Sequence, residues 1–366
     1  MGFTVQKPGI CTTVQDRGRF GFMDSGFSPS GVMDKRAFTL ANILVENDPD
    51  DCVLEFVLAG PTLRFTTNTV IALTGGDFSP TLNGKPIELY KAHAVQRGSI
   101  LRLEAPKTGM YGYLAIAGGG VRVPEVMGSF STNLKCGIGG WEGRALAGGD
   151  YLPFRRKNTE FMPNLGSHTF DASEEYPPPG ETVTLRVIMG PQDELFTEEG
   201  ISTFLNETFE TTLNSDRMGY RLDGPSIETV AGSDIISDGI TFGAIQIPAD
   251  GRPIIMLADR QTTGGYAKIA TVASIDLPKL VQARPQTNIR FKAISVYEAQ
   301  DLLRQQAAFY RSLEKIVRRP CPGGISPRKT ARRLTPILIK QSEFVETNRL
   351  WIKKKEQAWT SKQSKN

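Results

Sequence analysis

Short runs of alternating apolar and polar residues recur through the first 155 positions: FTVQ from Phe3, TLRF from Thr62, VIALTG from Val70, SILRLEA from Ser99 and YGYLAIAGG from Tyr111. Turn residues separate them, and a period of two between turns predicts strands of a sheet or barrel. One helix interrupts the series. It is predicted to start near Ser30, to carry Met33, Ala37, Leu40, Ala41 and Leu44 on one face, and to stop at Asn47-Asp48-Pro49. Asn83-Gly84, between TL and KPI, predicts a two-residue hairpin turn. From Pro153 to Glu181 the chain turns polar and ends in Tyr176-Pro177-Pro178-Pro179-Gly180, which predicts a linker over 156–181. Strand patterns resume at TVTLRVIMG, TFGAIQIP, PIIMLAD and IRFKAIS. Pro191-Gln192-Asp193-Glu194 predicts a helical first turn, and residues 295–318, with Val296, Ala299, Leu302, Leu303, Ala307 and Tyr310 on one face, predict a closing helix. The expected fold is mainly β with flanking helices (α+β), in a β-rich unit over 1–155 and a second over 182–318. The two halves show no residue-level repeat.

A length of 366 residues accommodates two ordinary domains, and 39% hydrophobic and 22% charged residues are ordinary for a globular protein. The net charge of +4 hides a division, because residues 311–366 hold 15 Lys and Arg against 4 Asp and Glu. Residues 319–366 are therefore expected to form a basic, solvated, disordered tail. Its tryptophans lack the motif and the interleaved aromatics of a nucleic-acid site, which argues against nucleic acid as a partner. No apolar run is long enough to span a bilayer, and the N-terminus lacks a signal-peptide core, so a cytoplasmic protein with no membrane partner is expected. Cys11, Cys52, Cys136 and Cys321 have no CxxC spacing, and only His93 and His168 could join them. Free thiols and no metal site are expected. Two histidines without a GxSxG elbow argue against a serine or cysteine hydrolase.

Candidate chemistry concentrates in IIMLADRQTTGGYAKIATVASI, residues 254–275. Strand-like flanks would hold Asp259, Arg260, Gln261, Thr262, Thr263 and Tyr266 in place, while Gly264 and Gly265 permit close approach of a ligand. Asp259 suits a base or a partner for Arg260, Arg260 a grip on carboxylate or phosphate, and Tyr266 a donor to a carbonyl oxygen. The alternative is a tight glycine turn whose polar residues satisfy one another. Arg217, in SDRMGYRLDGP beside Asp216 and Tyr220, is a second candidate for gripping an anion. Gln246 alternates with Ile245 and Ile247 and should face away from them, placed for an amide or ureido group or for capping a sheet edge. Gln15, Asp16, Arg17 and Arg19 form a polar loop that either feeds a cleft or makes a structural turn with an Asp16–Arg19 ion pair. The glycine turns AGGG (117–120) and GIGG (137–140) lack the surroundings of a nucleotide fingerprint.

These blocks also carry a resemblance. GAIQIPADGRPIIMLADRQTTGGYAKIATV is similar to the signature of the KipA family, also described as the C subunit of 5-oxoprolinase, or as the second subunit of the allophanate-hydrolase and urea-carboxylase carboxyltransferase type. TTVQDRGRFGF, SGVMDKRA, LEF, TGGDFSPTLNGKPI, GYLAIAGGGVRVPEVMGSFST, GGWEGRALAGGDYL, SDRMGYRLDGP and FKAISVYEA extend it in order over roughly residues 3–305. The resemblance implies a cyclophilin-like β-barrel architecture. It implies an ATP-dependent 5-oxoprolinase that opens the lactam of 5-oxoproline to glutamate, together with a KipI-like B subunit and a third 5-oxoprolinase subunit. Arg217 and Arg260 would then serve as cations, Asp259 as base, and Tyr266 with Thr262 or Thr263 as donors, with ATP bound here, at an interface or by a partner. Two alternatives share the resemblance. One is half of a biotin-dependent urea or amide carboxylase, with Gln246 and the DRQTTGGY segment on the ureido group; the other is an antagonist of a KipI-like inhibitor of a sensor kinase.

Overall fold

The middle of the first half is a sheet buried on both faces, which is why VIALTG reads almost continuously apolar. The structure is a computed structural model, and it describes residues 1–155, 168–171, 176 and 180–317. The expected linker falls largely outside these residues and the expected basic tail wholly outside them. Strands of the first half are β1 (Gly2–Lys7), β2 (Cys11–Gln15), β3 (Val53–Val57), β4 (Thr62–Phe65), β5 (Thr69–Asp77), β6 (Thr81–Leu82), β7 (Lys85–Pro86), β8 (Ala92–Val95), β9 (Ile100–Arg102), β10 (Thr108–Ile116) and β11 (Tyr151–Pro153). They form a sheet in the order β2-β3-β10-β5-β8 and a second in the order β11-β1-β4-β9-β6-β7. Leu54, Phe56, Ile71, Leu73, Leu114 and Ile116 on one face of the first sheet join Phe3, Leu63, Phe65 and Leu101 of the second in one core. Their neighbours in sequence, Val53, Val70, Ala72, Tyr113 and Ala115, face the opposite way and share a core with helix α1 (Lys35–Leu44).

Helix α1 covers the expected apolar positions Ala37, Leu40, Ala41 and Leu44, but it begins at Lys35 rather than near Ser30, so Met33 precedes it. Asp34 caps it, its Oδ1 accepting the Ala37 N–H at 2.9 Å. The expected Asn-Gly turn is present: Leu82 pairs with Lys85, and Asn83 and Gly84 have φ of 53° and 78°, the left-handed pair that a twisted two-residue hairpin requires.

The second half closes into a barrel. Its strands are β12 (Val183–Met189), β13 (Phe209–Ser215), β14 (Gly219–Asp223), β15 (Asp234–Gly239), β16 (Ala244–Gln246), β17 (Ile254–Met256), β18 (Thr263–Tyr266), β19 (Lys268–Val272) and β20 (Asn288–Ala293). The barrel order is β12-β19-β16-β17-β14-β13-β20, while β15 and β18 form a two-stranded arm of their own. Helix α2 (Glu198–Asn206) packs Phe204 on Phe291 with ring centroids 4.4 Å apart. The expected helical turn at Pro191 is only a 3-10 turn over Asp193–Leu195. The α-helix waits for Thr197, whose Oγ1 accepts the Gly200 N–H. Helices α3 (Leu277–Val281) and α4 (Val296–Val317) are the last among the described residues, and α4 matches its expected span to within a residue at each end.

All pairings between these strands stay within one half or the other, yet one core cluster runs from α1 into the barrel and Met1–Val317 form one compact unit. Among the described residues no helix is long and apolar enough to cross a membrane.

The AGGG turn shows how tightly the first half is tied. Asn47 Oδ1 accepts the N–H groups of Gly118 and Gly119, each at 2.9 Å, and Asn47 Nδ2 donates to Ile116 O. Asn47→Ala leaves two buried donors unmet, and a loss of about 2–4 kcal/mol of stability is expected. Urea unfolding should show it as a lower midpoint with an unchanged slope.

Candidate functional site

The DRQTTGGY segment begins at the end of β17 and runs into the β15–β18 arm, which lies over the outer face of the barrel. Alternation along β16 sends Ile245 into the barrel core and Gln246 outward, beneath the arm. Gln246 is 4% exposed, and its Nε2 donates to Tyr266 O at 3.4 Å. A β-bulge between Ile245 and Gln246 shifts the pairing with β19, so Lys268 rather than Ile269 stands opposite Gln246. Bulges of this kind re-aim side chains beside functional sites. Lys268 is 5% exposed and its ammonium has no hydrogen-bond partner among the described residues. Its counter-charge is the exposed Asp238 carboxylate of β15, an ion pair at 3.2 Å without hydrogen-bond geometry. The Lys268 ammonium, then the Gly239 N–H, hold the Asp238 carboxyl below its usual range.

Gly264 makes this packing possible. A Cβ there would sit 2.6 Å from Ile240 Cδ1 and 2.8 Å from Gln246 Nε2, inside contact distance of both. Gln261, Thr263 and Tyr266 are exposed, and Thr262 and Gly265 are half-buried along the same edge. Sequence reasoning named every member of this group except Lys268 and Asp238. The signal was available in AKIATV, where a lysine opens an otherwise apolar strand.

Arg217 and Asp259 meet at a different place. Arg217 donates from Nε to Asp259 Oδ2 at 2.8 Å, from Nη2 to Asp259 Oδ1 at 3.2 Å and to Gly31 O at 2.7 Å, and from Nη1 to Glu55. Burial alone would lower the guanidinium pKa, but Asp259 and Glu55 hold it well above the ordinary value. Arg217, expected to grip an external anion, is thus answered by two internal carboxylates, and both oxygens of Asp259 are taken up by it. Glu55 also accepts the Met33 N–H at 2.8 Å. Burial nevertheless raises its pKa, against the lowering by Arg217. The pair borders a cavity of about 570 Å³ walled by Val57, Met110, Tyr111, Met218 and Pro285. Arg260 points elsewhere and has no carboxylate partner among the described residues.

The first-half candidates are not gathered around either cluster. Asp16 accepts from Gly18 N–H, Ser129 Oγ, Phe130 N–H and Ser131 Oγ, and forms no ion pair with Arg19. Arg19 is fully buried and donates to Val126 O and Ser131 O. Gln15 donates to Thr13 Oγ1 and Thr132 O, while Arg17 makes an exposed pair with Asp50 at 3.1 Å. Gln15, Asp16 and Arg19 knit the 126–140 segment to the sheet.

The family model described as the carboxyltransferase domain, subdomain A and B, matches residues 25–293. The chain belongs to this family. It is 36% identical over 305 residues to the C subunit of 5-oxoprolinase from Haemophilus influenzae, covering 83% of this chain and 95% of that protein. Over 307 residues it is 36% identical to the C subunit of 5-oxoprolinase from Escherichia coli, covering 84% of this chain and 96% of that protein. The crystal structure of Kluyveromyces lactis urea carboxylase superposes with a TM-score of 0.77 at 34% identity, over 85% of this chain and 29% of that one. The mainly β architecture and closed barrel are therefore those of a carboxyltransferase-like domain.

Removing Arg217 tests the ion cluster. Arg217→Met strands two carboxylates, and a loss of about 3–5 kcal/mol is expected near neutral pH. The variant should recover part of this in acid. Glu55 already titrates above the usual 4.5 in the folded chain, and losing Arg217 raises it further. A carboxyl whose folded pKa is raised favours folding while protonated, so the variant's stability should fall as pH rises from about 4.5 through the folded value. Urea midpoints at pH 5 and pH 8 check the sign; equal losses at both would remove Glu55 from the account.

Proposed function

We propose that this chain is a subunit of an ATP-dependent 5-oxoprolinase complex, and that its Gln246–Lys268 surface handles the lactam of 5-oxo-L-proline as it is opened to L-glutamate. The observation that carries the reading is the pairing of a buried amide and a buried ammonium, both with bonding capacity to spare, under a glycine-bearing arm. A lactam offers one carbonyl acceptor and one N–H donor, which a glutamine amide complements on both counts. The Lys268 ammonium, shielded from water, stabilises negative charge gathering on the lactam oxygen or on a phosphoryl group attached to it. Tyr266, Thr262 and Thr263 supply hydroxyl donors from the covering loop. Asp238, beside Lys268 and open to solvent, is the candidate base for water; Asp259 is not, because both its oxygens are held by Arg217. The similarity to two proteins named as C subunits of 5-oxoprolinase, across nearly their whole length, supports this choice of substrate.

ATP enters this reading through a KipI-like partner, a third component of the complex or an interface with them. The AGGG turn does not fit a phosphate, because its N–H groups already bond Asn47 and Ile116 O.

A second reading is the carboxyltransferase half of a biotin-dependent urea or amide carboxylase. The likeness to urea carboxylase favours it, and a ureido ring suits the same amide and ammonium. Biotin already carboxylated on its ureido nitrogen would be held by Gln246 and Lys268 and would supply that carboxyl group to the urea or amide nitrogen.

The assay is glutamate release from 5-oxoproline and ATP with the partner subunits added. Lys268→Met should lower kcat by about 10²–10³-fold, the usual loss for an oxyanion-stabilising group, with the complex still assembled. Turnover within twofold of the parent would remove Lys268 from the chemistry. Loss of activity on adding avidin, with a requirement for bicarbonate, would move the assignment to the second reading.

A further inference from the structure

A second cationic cluster adjoins the same loop. Arg260 is 6% exposed; its Nε donates to Ile240 O at 2.9 Å and its Nη1 to Leu257 O at 3.2 Å. Nη2 faces only the Met23 sulfur at 4.0 Å, a weak acceptor. The guanidinium carbon lies 5.8 Å from the Phe242 ring centroid, and Lys35 Nζ lies 4.7 Å from the same centroid. Neither cation has an ion-pair partner among the described residues. Burial pushes Arg260 down to about 10, while burial, then Arg260 and Arg17, lower Lys35.

A cation stacked on an aromatic ring can be purely structural, pinning a loop to a barrel. One cation suffices for that. The second, Lys35, is exposed, and it adds repulsion beside the buried Arg260, which has no counter-charge of its own among the described residues. Lys35 is also the first residue of α1, the end of a helix that disfavours a positive charge. Lys35 also lines a cavity of about 540 Å³ with Arg17, Phe20, Tyr310, Arg311 and Glu314, which Arg260 does not border. Ile240 links this corner to Gln246: its carbonyl accepts from Arg260, and its side chain abuts Gly264, whose other close neighbour is the Gln246 amide.

We propose that Lys35 and Arg260, flanking Phe242, form an oxyanion subsite for the carboxylate or phosphoryl group of the ligand whose amide is held at Gln246 and Lys268. The placement of the amide rests on the preceding proposal; the oxyanion subsite does not. A guanidinium edge and an ammonium are the donors that planar carboxylates and phosphoryl groups engage.

The test is calorimetric titration of the full chain at low ionic strength with 5-oxoproline, its neutral carboxamide and inorganic phosphate. The variants are Arg260→Gln, Arg260→Lys and Lys35→Gln. Lys35→Gln alters an exposed helix position and keeps the test open should Arg260→Gln fail to fold. Each glutamine variant should weaken anion binding by about tenfold or more, the usual consequence of losing a charged hydrogen bond, and leave the carboxamide unchanged. Arg260→Lys should retain part of the affinity. Binding of 5-oxoproline alone identifies a carboxylate subsite, and binding of phosphate alone a phosphoryl subsite. Phosphate binding that depends on Lys35 and Arg260, without any binding of 5-oxoproline, keeps the subsite and removes the 5-oxoprolinase reading. Anion affinity that is absent in the parent, or equal in parent and variants, overturns the proposal, as does an equal loss for the carboxamide.

Discussion

The guanidinium of Arg217 ties the two halves of the chain together. It reaches Glu55 on β3 of the first half and Asp259 at the exit from β17 of the second, with the Gly31 carbonyl between them. Two carboxylates around one cation leave a net negative charge in a place poor in water, so desolvation offsets much of the attraction. What such a cluster supplies is position. The Asp259 N–H also donates to Arg217 O, so both backbone and side chain fix the point from which the DRQTTGGY loop departs. The loop then carries Arg260 to the Phe242 ring and continues into the arm over Gln246.

Arg217 and Arg260 show what a sequence can and cannot reveal. Both sit beside glycines and carboxylates in polar loops, and both suit an anion. Their environments differ because the counter-charge on Arg217 includes Glu55, 162 positions away in an otherwise apolar LEF run. Arg260 has an acidic neighbour in sequence, but Asp259 turns to Arg217 instead. Arg19 makes the same point more sharply: a charged residue in a glycine-rich loop reads as a surface group, and it lies in the interior bonded to carbonyls. Local pattern carries the local facts well, among them the Asn83-Gly84 turn, the apolar face of α1 and the outward direction of Gln246. Lys268 escaped notice because its partnership with Gln246 depends on a register shift that no alternation pattern encodes.

A two-stranded arm is marginal by itself in water. This one is held by a small apolar patch, Ile240, Ala244 and Met256 with Ile254 against them, on the same outer face of the barrel as Gln246. The patch keeps one side of the Gln246–Lys268 pair dry while Asp238, on the arm, stays wet. The Lys268 ammonium thus lies between a dry wall and a solvated carboxylate. In the proposed role, shielding from water strengthens the pull of the ammonium on an amide oxygen. A lysine at an open surface would lack that shielding.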